Sequence, residues 1–187
     1  MKRTFLLSPA NLGGVRGRRV LSGGSRFDFN DGVPLGELFT YISGLYFRGK
    51  LQYAQNFGVP LVITAGFGLM PADSRIGMDE LRRMSTVPID ASEALYREPL
   101  ERDACTLDCS SEIVLLGSLA TPKYLEPLLR IFGDRLLIPA EFVGLGDMSR
   151  GGLMLQCVRS GQELAYVPAA TACASTLLSD APEHNPP

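Results

Sequence analysis

A short apolar run at residues 3–8, RTFLLS, is stopped by Pro9, and Asn11, Gly13 and Gly14 follow with turn chemistry. That pattern predicts a first strand delivering a loop. Between residues 35 and 57 the spacing changes: Leu38, Phe39, Ile42, Leu45, Tyr46, Leu51, Tyr53 and Ala54 recur at helical intervals. Gly44 and Gly49 interrupt them, which predicts two consecutive helices, or one broken helix, bent in that interval. Residues 59–65, VPLVITA, are β-branched, short and cut off by the glycines of AGFG, the pattern of a buried strand. Helical patterning returns at 79–84 and within 92–109, with Asp and Ser available as caps.

EIVLLG at 112–117 is a third strand, after which Thr121 and Pro122 open a helix that runs through Phe132 and closes at Gly133. A fourth strand at 135–138 meets Pro139. Residues 144–152 are a glycine-rich loop, 153–158 a strand or helix, and 164–167 a last short strand. Strands separated by helical stretches predict an α/β fold, a single domain over 1–175 with a mainly parallel or mixed sheet flanked by helices. Residues 176–187 are expected to be a disordered tail. In such sheets ligands sit beyond the carboxyl ends of the strands, so a cleft is expected there.

Composition narrows the function classes. Apolar residues make up 45% and charged residues 20% of 187, a globular balance, and the length is enough to bury a core without staples. Eighteen Lys and Arg against twenty Asp and Glu give a net charge of -2, so any basic surface must be local. Its best source is the N-terminal segment, where Arg16, Arg18 and Arg19 follow Lys2 and Arg3 with no acid before Asp28. The longest apolar runs, such as 57–69 and 112–120, fall short of the roughly 20 residues of a membrane span. The first ten residues hold two positive charges and an apolar run, but Pro9 replaces a long signal-peptide core. The expectation is a cytoplasmic chain with no membrane partner.

Cys105, Cys109, Cys157 and Cys173 are expected as small buried hydrophobes rather than disulfides. With no CxxC and the sole histidine, His184, in the tail, neither a metal site nor a cofactor is expected. A histidine-based triad also lacks its second member, so Lys50, Lys123 or a carboxylate such as Asp73 or Asp147 would have to act as base.

Four loops follow predicted strands: SPAN at 8–11, AGFGLMPAD at 65–73, GSLATPKY at 117–124 and GLGDMSRGG at 144–152. Each pairs small residues, which let a ligand reach the backbone, with one or two orienting polar groups. In the first these are Ser8, Pro9 and Asn11. In the second, Gly66 and Gly68 precede Asp73. In the third, Ser118, Thr121, Lys123 and Tyr124 surround a helix N-terminus, where orphan amides, the helix dipole and a lysine favour an anion. The plain alternative is that Thr121 is an N-cap and Lys123 a solvated surface residue. In the fourth, Asp147, Ser149, Arg150 and Gly151 belong to a stretch whose amides can form an anion nest, or else Arg150 forms a salt bridge across a structural turn. It does not fit GxGxxG, nor is there a GxxxxGK[ST] sequence. The segment YISGLYFRGKLQY adds Tyr41, Tyr46, Arg48, Lys50 and Tyr53, an aromatic and basic mixture that suits base stacking and phosphate contact or, alternatively, an amphipathic helix on a core.

Taken in order, LLSPA at 6–10, GFGLMPAD at 66–73, LLGSLATPKY at 115–124 and SRGGLML at 149–155 resemble the motifs of the peroxide-stress protein YaaA family. The resemblance covers most of the chain. It implies an α/β fold with a cleft built from these motifs and an association with duplex DNA and oxidative stress, without a catalytic mechanism. The matching positions are Ser8, Pro9, Gly66, Gly68, Asp73, Lys123, Tyr124, Arg150 and Gly151. Asn11 stands where that family has lysine, so a role for that charge does not carry over.

Two main readings therefore compete. One is a DNA-binding stress or maintenance protein whose Arg16, Arg18, Arg19, Arg48, Lys50, Lys123 and Arg150 form a basic cleft. The other is a metal-independent enzyme acting on a nucleotide, nucleoside or similar anionic small molecule. A structural or partner-binding domain whose loops only turn the chain is the third. Oligomeric state stays open.

Overall fold

The computed structural model describes residues 3–118, 122–142 and 144–171, so Thr121, Cys173, His184 and the expected tail lie outside the described residues. Its elements run β1 (Arg3–Leu7), α1 (Val15–Leu21), β2 (Val33–Pro34), α2 (Leu35–Ser43), α3 (Leu45–Phe57), β3 (Val59–Thr64), β4 (Gly68–Pro71) and β5 (Arg75–Ile76). Then come α4 (Met78–Thr86), α5 (Ala94–Ala104), β6 (Glu112–Leu116), α6 (Pro122–Phe132), β7 (Leu136–Pro139), α7 (Asp147–Ser160) and β8 (Tyr166–Pro168).

Six strands form one sheet in the order β4-β3-β1-β6-β7-β8, and β2 pairs with β5 in a separate two-stranded ribbon. The central four strands are parallel, while β4 and β8 run antiparallel at the edges. Strand residues alternate between two apolar layers, as period-2 geometry requires of strands covered on both faces. Phe5, Leu7, Val114 and Leu116 enter one core with Phe39, Phe47, Tyr53 and Met154; Leu6, Ile113 and Leu115 enter the other with Tyr96, Leu100 and Leu128. The chain leaves β1 for β3 on one side and then crosses to β6 on the other. Right-handed crossovers in opposite directions put their helices on opposite faces, which is why α2 and α3 cover one layer and α5 and α6 the other. The reversal makes the carboxyl ends of β1 and β6 a topological switch point.

The predicted α/β class is observed, and the break between the two early helices falls at Gly44, whose φ of +61° suits glycine. Three local expectations are corrected. AGFGLMPAD is not a loop: Gly66 and Gly68 turn the chain at φ +84° and +71°, and β4 then runs back along β3 from Gly68 opposite Thr64 to Pro71 opposite Leu61. GLGDMSRGG is not a glycine nest: α7 begins at Asp147 and continues for 14 residues to the left-handed Gly161. Helix α1 is hidden by its arginines and Gly17, and the last strand begins two residues later than its apolar pattern suggests.

Helix α7 is a poor helix former on its own, with Gly151 and Gly152 in its interior. Tertiary packing carries it. Its buried residues Arg150, Gly151, Met154 and Cys157 fall on one helical stripe. That stripe meets α3 where Gly49 and Gly151 touch: a Cβ on Gly49 would lie 2.7 Å from the Gly151 carbonyl oxygen, and one on Gly151 would lie 3.0 Å from that of Leu45. This close crossing brings Lys50 and Arg150, the residues beside those glycines, into the interior.

Candidate functional site

Strand β1 ends by passing Ser8 to the carboxyl edge, where its N–H donates to the Leu116 carbonyl of β6 at 3.1 Å. The Lys50 ammonium reaches it from α3. Lys50 is 2% exposed and Ser8 5%. Nζ donates to the Ser8 carbonyl at 2.6 Å and to Ser8 Oγ at 2.8 Å, and it lies 4.4 Å and 5.0 Å from the ring centres of Tyr46 and Phe47. Burial pushes Lys50 down from 10.5 to about 7, although the charge of Asp147 opposes the shift.

Tyr46, one turn earlier on α3, has a buried hydroxyl without a hydrogen-bond partner among the described residues. Burial raises its pKa, and the nearby Arg150 guanidinium offsets part of the rise. Arg150 itself is buried and donates to the Phe142 carbonyl from Nε at 3.2 Å and from Nη2 at 2.8 Å, with Nη1 3.5 Å from the Gly117 carbonyl. Asp147 is mostly exposed and stands 3.8 Å from Arg150. Its charge also raises the pKa of Tyr124 on α6, though burial is the larger cause. Ser8, Tyr46, Lys50, Tyr124, Asp147 and Arg150 therefore form one neighbourhood where β1 and β6 end.

Beside it opens a cleft of about 320 Å³ lined by residues 9–13 of the β1–α1 loop, Phe39, Ala65 after β3, Met84, Ser85, Val87, Ile89 and Lys123. A second groove of about 570 Å³, with Asp90, Ser92, Arg97 and Glu126, shares Ile89 and Lys123 with the first. Asn11 Oδ1 accepts the Gly13 N–H at 3.1 Å and so shapes the loop. Lys123 is fixed through its backbone, since the Tyr96 hydroxyl donates to its carbonyl at 2.9 Å, and its ammonium lies 5.1 Å from the Tyr124 ring. No family model, curated protein or solved structure matches this chain.

Of the expected site residues, Pro9, Asn11 and Lys123 line the cleft, and Ser118 follows β6 at the same edge. Three placements correct the expectation. Asp73 is exposed and emerges beyond β4, whose antiparallel course carries it toward the amino side of the sheet, away from Ser8. Gly68 packs against α5, where a Cβ would meet Asp103 at 2.1 Å and Pro99 at 2.5 Å, while Gly66 faces Val87 of the cleft wall. Lys50 and Arg150 are not surface cations: each is buried, and both are engaged by backbone carbonyls. Arg48 and Ser149 are exposed on α3 and α7, and Gly151 serves the helix crossing. The apolar wall of Phe39, Met84, Val87 and Ile89, and the Tyr96 support under Lys123, carried no distinctive signal in the sequence.

Among the described residues no group of three His, Cys, Asp or Glu could hold a metal ion, and no helix is long and apolar enough to cross a membrane.

Proposed function

We propose that the cleft at the carboxyl edge of β3, β1 and β6 binds an anionic, nucleotide-like small molecule. The observation that carries this reading is its lining: an apolar wall suited to a flat ring, with Asn11 and Lys123 as orienting polar groups. A volume of about 320 Å³ lies in the range of small-molecule pockets, and its position matches the switch-point rule for α/β sheets. Lys123 is the second residue of α6, so the positive end of that helix's dipole adds to its charge. Nucleoside mono-, di- and triphosphates are expected to raise the melting temperature, with about 2.7 kcal/mol of stabilisation at a hundredfold excess over Kd. Lys123→Ala is expected to weaken the best ligand about tenfold, or about 1.4 kcal/mol, by calorimetric titration. No shift with any nucleotide at millimolar concentration removes this reading.

A second reading, duplex DNA binding, draws on the resemblance of the four motifs and on the exposure of Arg16, Arg18 and Arg19 along α1 and Arg48 on α3. Its basic surface would have to do without Lys50 and Arg150. If it holds, duplex affinity falls steeply as salt rises, with a log–log slope of about -0.9 for each phosphate neutralised. Arg18→Ala combined with Arg19→Ala then lowers that slope by about two. Binding that ignores both salt and these substitutions eliminates the reading.

A further inference from the structure

Ser8 and Lys50 come from elements 42 positions apart, and the fold brings Nζ to 2.8 Å from Oγ in a setting almost closed to water. A buried lysine ordinarily has a carboxylate partner, because an isolated charge is costly to desolvate. Here its near contacts are one carbonyl, one hydroxyl and two ring faces. Ser8 directly precedes Pro9, the first residue of the cleft wall. Neither Ser8 nor Lys50 lines the cleft itself, so the pair sits behind that wall and a substrate acyl group has to pass Pro9 to reach Oγ. We propose that Ser8 is a nucleophile and Lys50 its general base, making the cleft the site of acyl transfer from an ester, thioester or amide to water. The chemistry concerns the same cleft as the proposed ligand site but does not require the ligand to be a nucleotide.

The step balances without a further reagent. As Oγ attacks the acyl carbon, its proton passes to the lone pair of neutral Lys50, and the carbonyl π electrons move onto oxygen. When that oxygen re-forms the carbonyl, the bond to the leaving group breaks, and the leaving alkoxide, thiolate or amine takes the proton from Lys50. Water then attacks acyl-Ser8, again giving a proton to Lys50, and Ser8 recovers that proton as the free acid departs. A lysine can serve in this way because burial favours its neutral form near neutral pH. The charged or titratable groups around it are Tyr46 on α3, Tyr124 on α6, and Asp147 and Arg150 on α7, and Lys123 lies on the cleft wall where the substrate would enter.

The test is labelling of the full chain by a small alkyl fluorophosphonate, followed by intact and peptide mass spectrometry. Expected is one phosphonyl group on Ser8, with loss of fluoride, at a rate that climbs with pH up to about 7 and then levels off. Ser8→Ala abolishes it. Lys50→Met, folded by thermal melt, slows it at least about a hundredfold, the lower end of a general base's contribution. Lys50→Arg keeps a charge but offers no base and is expected to be equally slow, a result a merely structural lysine would not give. An unlabelled wild-type Ser8, or folded Lys50→Met labelling within threefold of wild type, overturns the proposal. Labelled Ser8 without stabilisation by any nucleotide keeps the dyad and removes the nucleotide-like ligand; stabilisation with Ser8 unlabelled does the reverse.

Discussion

Gly49→Ala is expected to lower the unfolding free energy by about 1–3 kcal/mol, the usual cost of forcing one carbon into a well-packed interior. The added Cβ would sit 2.7 Å from the Gly151 carbonyl oxygen and 3.0 Å from its Cα. Both are backbone atoms, so no side chain can swing aside and the two helices must part. Gly152→Ala on the same α7 provides the control, because its Cβ would meet nothing within 4 Å. There only the helix preference remains, and the substitution is expected to add about 0.5–1 kcal/mol. Urea midpoints, at unchanged slope, measure both. If Gly49→Ala proves as stable as Gly152→Ala, the crossing is not tight. The consequence reaches the site: parting α3 from α7 shifts Lys50 from Ser8, so Gly49→Ala is also expected to slow fluorophosphonate labelling of Ser8.

The same crossing explains what the chain discloses in one dimension and what it withholds. Strands β1, β3 and β6 are legible because both their faces are buried, which concentrates consecutive apolar residues within 3–8, 59–65 and 112–117. Helices α2 and α3 are legible through their period, and Pro122 marks the start of α6. Helix α7 is not, since two interior glycines argue locally for a loop and only the contact with α3 overrules them. Strand β4 escapes notice for a related reason: the glycines that look like a binding loop are the positive-φ residues of a tight hairpin. At the site, loop proximity to strand ends points to Pro9, Asn11 and Lys123, and all three lie on the cleft lining. It fails for Asp73, where an antiparallel strand carries the chain away. Sequence also tempts one to count Lys50 and Arg150 as surface cations. Their burial follows from the small residues beside them, Gly49 and Gly151, a packing relation across 102 positions that no local pattern encodes.

Lys50 also makes the stability of the whole protein depend on pH in a direction opposite to that of a salt-bridged lysine. Burial lowers its pKa from 10.5 in the open chain to about 7 in the fold. Between those values the unfolded chain binds a proton that the folded protein has released. Stability therefore rises with pH across that window, by about 1.4 kcal/mol per unit at the steepest. Below about 7 both states hold the proton, and the fold carries the full cost of an enclosed ammonium. The measurement is the difference in unfolding free energy between wild type and Lys50→Met at intervals from pH 6 to 9.5. Methionine fills similar space without a charge, and Ser8 loses a donor to its carbonyl, a penalty that is the same at every pH. Subtraction removes that penalty and leaves the slope. Tyr46, pushed above 10 by burial, does not contribute to the slope over most of the range, and Asp147 and Arg150 are common to both proteins. Lys50→Met is thus expected to gain most over wild type at pH 6 and to lose that advantage by several kcal/mol on the way to pH 9.5. A difference that stays level would mean that the Ser8 carbonyl and Asp147 hold the proton on Lys50 throughout. A lysine so held has no lone pair to offer, and the activation of Ser8 would fall with it.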